Sequence, residues 1–215
     1  VGAEEVTYGD YTDEACKTPE AKQATRLRAL DLVRDHSCNL WSPSKNALRY
    51  DWLELAGHRA PMLNLLMSEG VLGSSRFIGV DTDKATIEDC QSHYGSGDHA
   101  EWVHGDMRRV LTLKKHAELR ERVGVLVYDS HDGLHNQNLA RNLRPLFTFA
   151  QEQRDRLGEF LLILNVTAAE RNTTDSDRKR YSDLLSDQVG YPVDVDHQYR
   201  SKVTPMIWTA LRYNF

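Results

Sequence analysis

The sequence predicts an α/β fold: a three-layer sandwich whose seven-stranded, mostly parallel sheet carries helices on both faces and ends in a C-terminal antiparallel β-hairpin. Three observations predict it. From about residue 50 onward, short apolar runs alternate with helix-length segments, the pattern of parallel strands joined by helical crossovers. The runs at 124–129 (GVLVYD) and 159–165 (EFLLILN) are apolar almost throughout, as strands covered on both faces have to be. The last two strand-like runs, 191–200 and 206–213, are separated only by about residues 201–205. That is too short for a crossover and makes them antiparallel neighbours.

The elements follow in order. Residues 1–20 are polar, carry Gly9 and Pro19 and show no period, so they read as a loose arm. From Ala21 to about Asp35, Leu27, Leu30, Leu32 and Val33 suggest an amphipathic helix. A loop with Pro43 follows, and 44–50 reads as a short helical turn. Segment 51–56 (DWLELA) is the first strand and stops at Gly57. Pro61 opens a helix that Gly70 closes, the placement these two residues favour. The second strand is 76–81 (RFIGVD), followed by a helix over 84–94 that the 95–97 breaker (GSG) ends. The third strand is 101–105 (EWVHG), with helix-like sequence to Arg122, and the fourth is 124–129. A helix from Asn136 to Leu157 is expected to kink or divide at Pro145. The fifth strand, 159–165, leads to a helix over 178–188 and the closing hairpin. The chain therefore divides into an N-terminal arm and helical cap, 1–48, and one sheet domain, 49–215.

Bulk properties narrow the function classes. A chain of 215 residues is long enough for one domain with a large core. The formal net charge of −5 argues against nucleic acid as a partner. Arg108, Arg109, Lys114 and Lys115 form the nearest thing to a basic patch and read as a solvated helix face. Cys16, Cys38 and Cys90 are odd in number and contain no CxxC pair, which fits a reducing compartment and argues against a disulfide frame or a zinc site. No apolar run approaches the roughly 20 residues of a membrane helix, and the acidic start is not a signal peptide. A cytoplasmic protein with no membrane partner is expected.

In an open parallel sheet, ligands bind beyond the carboxyl ends of the strands, where strand order reverses. The first three tips here are Glu54 with Gly57, then Asp81, then Asp106 with Met107. In these residues the chain resembles the class I S-adenosylmethionine-dependent methyltransferases, over about residues 50–215 and in family order. The resemblance implies that S-adenosylmethionine is the cofactor and that the C-terminal hairpin is the family's sixth and seventh strands. It implies that Glu54 faces the methionine end and Gly57 lets the backbone approach. Asp81 would hold the ribose hydroxyls and Asp106 the adenine amino group, with Met107 beside the ring. A carboxylate suits a diol because it accepts two hydroxyl bonds at once. The first turn departs from the family's alternate glycines, having Ala56, His58 and Ala60 around Gly57. His58 tolerates a left-handed backbone poorly, so either the turn takes another path or cofactor binding is weakened or lost. Asp81 also has a purely local reading, as a turn former before a helix that Thr82 or Asp83 would cap. Glu54 has one as the partner of Arg59 or Arg49.

The fourth tip, 128–133 (YDSHDG), is the densest polar cluster at any strand end. The resemblance places the methyl acceptor beside it, so Asp129, His131 and Asp132 are candidates for positioning the acceptor or removing a proton. Asp129, Asp132 and Asn165 invite a metal reading, but the adjacent acid–amide pair of metal-using relatives is replaced here by 165–167 (NVT), and no metal is expected. The motif of amino-methylating DNA enzymes is absent, because Asp129 is followed by Ser130 and His131. Three functions compete: a methyltransferase of unknown substrate, a degenerate member of the same fold acting as a non-catalytic binding subunit, and a nicotinamide oxidoreductase. The last requires a GxGxxG motif after the first strand, which this chain lacks. Trp41 and Trp52 flank the junction with the N-terminal segment and read as core residues.

Overall fold

The computed structural model describes residues 20–36, 39–168, 173–188, 191–200 and 205–214, and the side chains of these except residues 20, 21, 35, 36, 130–132, 191–200 and 205. Five parallel strands form its centre: β1 (Asp51–Leu55), β2 (Phe77–Asp81), β3 (Ala100–His104), β4 (Val123–Gly133) and β5 (Glu159–Thr167). The hairpin strands β6 (Tyr191–Arg200) and β7 (Pro205–Asn214) complete a seven-stranded sheet in the order β3-β2-β1-β4-β5-β7-β6. Both contacts of β7 are antiparallel. Strand order reverses between β1 and β4, which by the switch-point rule makes their carboxyl ends the place to look for a ligand site.

Side-chain alternation sends successive residues of each strand to opposite faces. Trp52, Phe77, Val125, Val127, Leu161, Ile163 and Trp208 pack in one cluster with α1 (Glu20–His36), α2 (Pro61–Ser68) and α3 (Lys84–Tyr94). Leu53, Ile78, Val80, Leu126, Leu162 and Leu164 pack on the other face with α4 (Met107–Thr112), α5 (Ala117–Arg120), α6 (Leu139–Leu157) and α7 (Asp175–Ser186). Helix α1 is part of this core: Ala29, Leu30, Leu32 and Val33 are buried in the same cluster as Trp52.

Several boundaries correct the sequence expectations. Leu27 is exposed, and Ala29 joins the buried face of α1 in its place. Residues 44–50 form no helical turn; Trp41–Ser42 and Ala47–Leu48 pair as a minimal antiparallel hairpin, with Asn46 at φ 48 in its tip. The stretch to Arg122 is broken into α4, a 3-10 turn at Lys114–His116 and α5, because Leu113 adopts an extended backbone between them. Pro145 lies inside α6, which runs through it undivided. Helix α7 begins three residues earlier than expected, at Asp175, where Thr174 and Asp177 form a reciprocal capping box. Strand β4 continues past Asp129 to Gly133, with a register irregularity between Ser130 and Gly133. Cys90 is a buried free thiol, while Cys16 and Cys38 lie outside the described residues. Among the described residues no helix is long and apolar enough to cross a membrane.

The opposite, amino-terminal edge of the sheet is held by one charged network. Asp51 at the start of β1 is fully buried, and its Oδ2 accepts from Arg76 Nε at 3.2 Å and Nη2 at 2.9 Å. Its Oδ1 accepts the Arg76 backbone N–H at 2.9 Å. Arg76 Nη1 continues to Glu101 Oε2 on β3 at 2.8 Å. Three strands are thereby tied at their entry points.

One glycine is dictated by close packing. A Cβ on Gly79 of β2 would lie 2.5 Å from the Trp102 ring and 3.2 Å from Ala56 Cβ. Gly79→Ala is therefore expected to force Trp102 out of place and lower stability by about 1–3 kcal/mol, the usual penalty for overpacking. A urea titration reads this directly; an unchanged midpoint would show that Trp102 yields at no cost.

Candidate active site

Glu54, Asp129 and Asn165 share a face by strand alternation with Trp52, Val127 and Ile163, and Asp81 does so with Phe77 and Gly79. This is the face that α1, α2 and α3 cover. At the carboxyl ends of β2, β1, β4 and β5, that face therefore changes from apolar to polar. The same strand ends present Val80, Leu55, Tyr128 and Leu164 to the other face. The polar row follows one side of the sheet across the switch point.

The turn after β1 takes a path that explains how it dispenses with alternate glycines. Gly57 has φ +55 with open space where a Cβ would stand. The other left-handed residues are Arg59 (φ 54) and Ala60 (φ 38); His58 is not among them. Non-glycine residues in this region each cost about 1–3 kcal/mol and persist only where their surroundings hold them. Here the Arg59 carbonyl accepts from Tyr94 Oη at 2.7 Å and from Asn64 Nδ2 at 3.1 Å. Asn64 Oδ1 lies 2.8 Å from Tyr94 Oη, so the single hydroxyl proton is shared between this oxygen and the Arg59 carbonyl, closing the clamp. Cys90 Sγ reaches the Gly57 carbonyl at 3.7 Å, and burial pushes its thiol up to about 11. His58 Nδ1 faces Asp89 at 3.8 Å.

Glu54 is partly buried and accepts the Trp52 indole N–H at 2.9 Å. Burial pushes its carboxyl up to about 7, opposed by Arg26 and the Trp52 hydrogen bond and assisted by the charge of Asp129. Its partner is thus Trp52 and the field of α1, neither Arg49 nor the turn's Arg59. Asp129 stands beside Asn165 in the parallel register. Asn165 is 8% exposed and, among the described residues, its Oδ1 has no hydrogen-bond partner, as is true of Arg26 Nη1 on α1. The side chains of His131 and Asp132 lie outside the described residues.

Asp81 and Asp106 stand on adjacent tips: Asp81 pairs with His104, and the Gly105 N–H donates to the Asp81 carbonyl at 2.8 Å. Asp81 Oδ1 accepts the Asp83 N–H at 2.9 Å, and Asp83, not Thr82, caps α3. The turn-forming role is therefore real, yet it occupies only one of the two oxygens; Oδ2 has no partner among the described residues. Asp106 caps α4 through the Arg108 N–H at 2.8 Å and holds the Arg108 guanidinium at 3.0 and 2.6 Å. Those hydrogen bonds keep its carboxyl below the usual range. Of the roughly four acceptor positions of a carboxylate, Arg108 fills three. Met107 is buried at the first turn of α4. Arg108 is thus partly buried against Asp106, whereas Arg109, Lys114 and Lys115 are exposed. Among the described residues no group of three metal-binding side chains converges.

Sequence reasoning missed Arg26 altogether and considered Asn165 only as a metal ligand. Nothing in the local sequence marks Arg26, since it lies on a helix outside the strand pattern. Asn165 carries a signal in hindsight: it is a polar residue ending the most apolar strand.

The whole architecture has counterparts among solved structures. The N-methyltransferase NodS from Bradyrhizobium japonicum WM9, in complex with S-adenosylhomocysteine, superposes with a TM-score of 0.56 at 12% identity, covering 94% of this chain and 93% of that one. The fold is that of the class I methyltransferases. The precorrin-6y C5,15-methyltransferase from Geobacter metallireducens GS-15 matches with a TM-score of 0.52 at 10% identity, covering 99% and 95%. SMU.776, a candidate methyltransferase complexed with S-adenosylhomocysteine, matches with a TM-score of 0.50 at 16% identity over 77% of this chain. The match spans 46% of that longer protein, so the methyltransferase fold here corresponds to less than half its length. No sequence-family model and no curated relative matches the chain. At these identities the likeness is one of fold.

Proposed function

We propose that the protein is an S-adenosylmethionine-dependent methyltransferase, and that the polar row Asp81–Glu54–Asp129–Asn165 is its donor and acceptor site. The observation that carries this reading is the polar atoms left over at the strand ends. Asp81 Oδ2, Asn165 Oδ1 and Arg26 Nη1 have no protein partner among the described residues, and the last two are buried. Buried polar atoms are normally satisfied, so such leftovers call for a bound molecule or water. Solved structures of the same fold carry S-adenosylhomocysteine, which agrees with this demand.

In this reading Asp81 receives the ribose hydroxyls, its second oxygen being available, and the remaining acceptor position of Asp106 receives the adenine amino group; Met107, expected beside the ring, is buried in the core under α4 and would touch it only from below. Glu54 lies at the methionine end, and the left-handed turn at Gly57, Arg59 and Ala60 brings the backbone alongside. The cofactor supplies an activated methyl group. The chain supplies alignment, which for a displacement at carbon provides most of the acceleration. Asp129, at the fourth tip, positions the acceptor, with His131 and Asp132 next to it in sequence. The clamp on the Arg59 carbonyl preserves the turn without the usual glycines, which favours this reading over a degenerate binding subunit. The substrate class follows from a screen: methyl-labelled cofactor incubated with cell extract and the protein should label a discrete species. Equal labelling by wild type and Asp81→Ala would remove the enzyme reading.

A further inference from the structure

Arg26 is the most conspicuous cation that the strand-tip account leaves unused. It projects from α1, an element outside the strand–helix alternation, and its charge reaches Glu54. No ion pair joins the two, and among the described residues Nη1 is buried without a hydrogen-bond partner. On the same face of the sheet, Asn165 Oδ1 is a buried acceptor without a donor among the described residues. A guanidinium nitrogen seeking an acceptor thus stands near the Glu54 carboxyl group, on the face of the sheet that α1 covers. The pair of Arg26 and Glu54 is complementary to an α-amino acid: a carboxylate for the guanidinium and an ammonium for the carboxyl group. Guanidinium is the side chain best matched to a carboxylate because two parallel N–H donors meet its two oxygens.

We infer that Arg26 is the carboxylate anchor of the site and that α1 is thereby part of the binding machinery. The inference rests on the methyltransferase reading and deepens it, assigning to α1 the amino-acid end of the donor. A purely structural Arg26 would instead be paired.

The test compares S-adenosylhomocysteine with its decarboxylated analogue, which keeps the amine, by calorimetry on the full chain. Wild type should bind S-adenosylhomocysteine more tightly than the analogue by about 10- to 100-fold, the yield of a charge-assisted contact. Arg26→Gln should lose that advantage, falling by a similar factor for the first ligand and staying within about threefold for the second. Arg26→Lys should retain part of it. Below about pH 6, where Glu54 holds its proton, the ligand-free melting temperature of Arg26→Gln should not drop, since no hydrogen bond or ion pair within the described residues is removed. Equal loss for both ligands, no loss for either, or a ligand-free protein that melts early would overturn the assignment. If wild type binds the analogue and S-adenosylhomocysteine equally, the donor reading stands and the anchor fails. If it binds neither, both fall.

Discussion

Asp51→Ala is expected to lower the unfolding free energy by about 3 kcal/mol, near the lower end of the cost of stripping one partner from a buried ion pair. The loss has two parts. The Arg76 backbone N–H loses its acceptor, and the guanidinium loses the carboxylate that holds it at 3.2 and 2.9 Å. The lower end applies because Arg76 is 32% exposed and retains Glu101. The Asp51–Arg76–Glu101 network lies at the amino-terminal edge, so ligand affinity should survive at temperatures where the variant is folded. Chemical denaturation reads the first quantity. A loss under about 1 kcal/mol, the level of an exposed pair, would show that the network contributes no more than surface charge.

Glu54→Gln should stabilise the protein above neutral pH and leave it unchanged in acid. The folded carboxyl titrates near 7 against an ordinary value of 4.5. Below 4.5 both folded and unfolded chains hold the proton, and no difference arises. As pH rises toward 7, the unfolded chain releases its proton first, and stability contributed by the protonated folded form is lost. Above 7 the loss is complete. The span corresponds to about 3 kcal/mol as an upper bound, with solvent contact reducing it toward 1–2. Gln keeps an acceptor for the Trp52 indole and carries no charge, so its stability should be flat over this window. Parallel pH profiles for the two proteins would contradict the assignment of the raised carboxyl to residue 54. In the proposed function, a cationic donor beside Glu54 favours the ionised form, so its binding should strengthen as pH passes 7.

The sheet was legible because its physics is local. Runs such as 159–165 can be nothing but buried strands, and Pro61 and Gly70 mark their helix ends by backbone chemistry. What escaped was decided by tertiary contact. The path of the turn after β1 depends on Tyr94, which is remote in sequence, and on Asn64 in the helix that follows; both hold the carbonyl of left-handed Arg59. The residues near 44–50 looked helical, yet the hairpin that they join is stabilised by bonds such as Leu48 N to the Val71 carbonyl at 2.8 Å. Leu27 and Ala29 exchanged roles because the face of α1 is set by the sheet beneath it. The positions of Glu54, Asp81 and Asp129 at strand ends, on one face, were also legible, because strand alternation is periodic. Arg26 and the orphaned oxygen of Asn165 belong to no motif, and only packing reveals them. Asp106 shows the converse: sequence placed it after the third strand, but its tight hold on Arg108 emerges only from geometry.

The most direct measurement is calorimetric titration of S-adenosylhomocysteine into wild type and Asp81→Ala. A nucleoside ribose held by the open Oδ2 of Asp81 predicts saturable binding by wild type. It also predicts a loss of at least about 30-fold in the variant, the value of one or two charge-assisted hydrogen bonds. Absence of heat at millimolar ligand, or equal affinity in the two proteins, would contradict the claim that these strand ends hold a nucleoside.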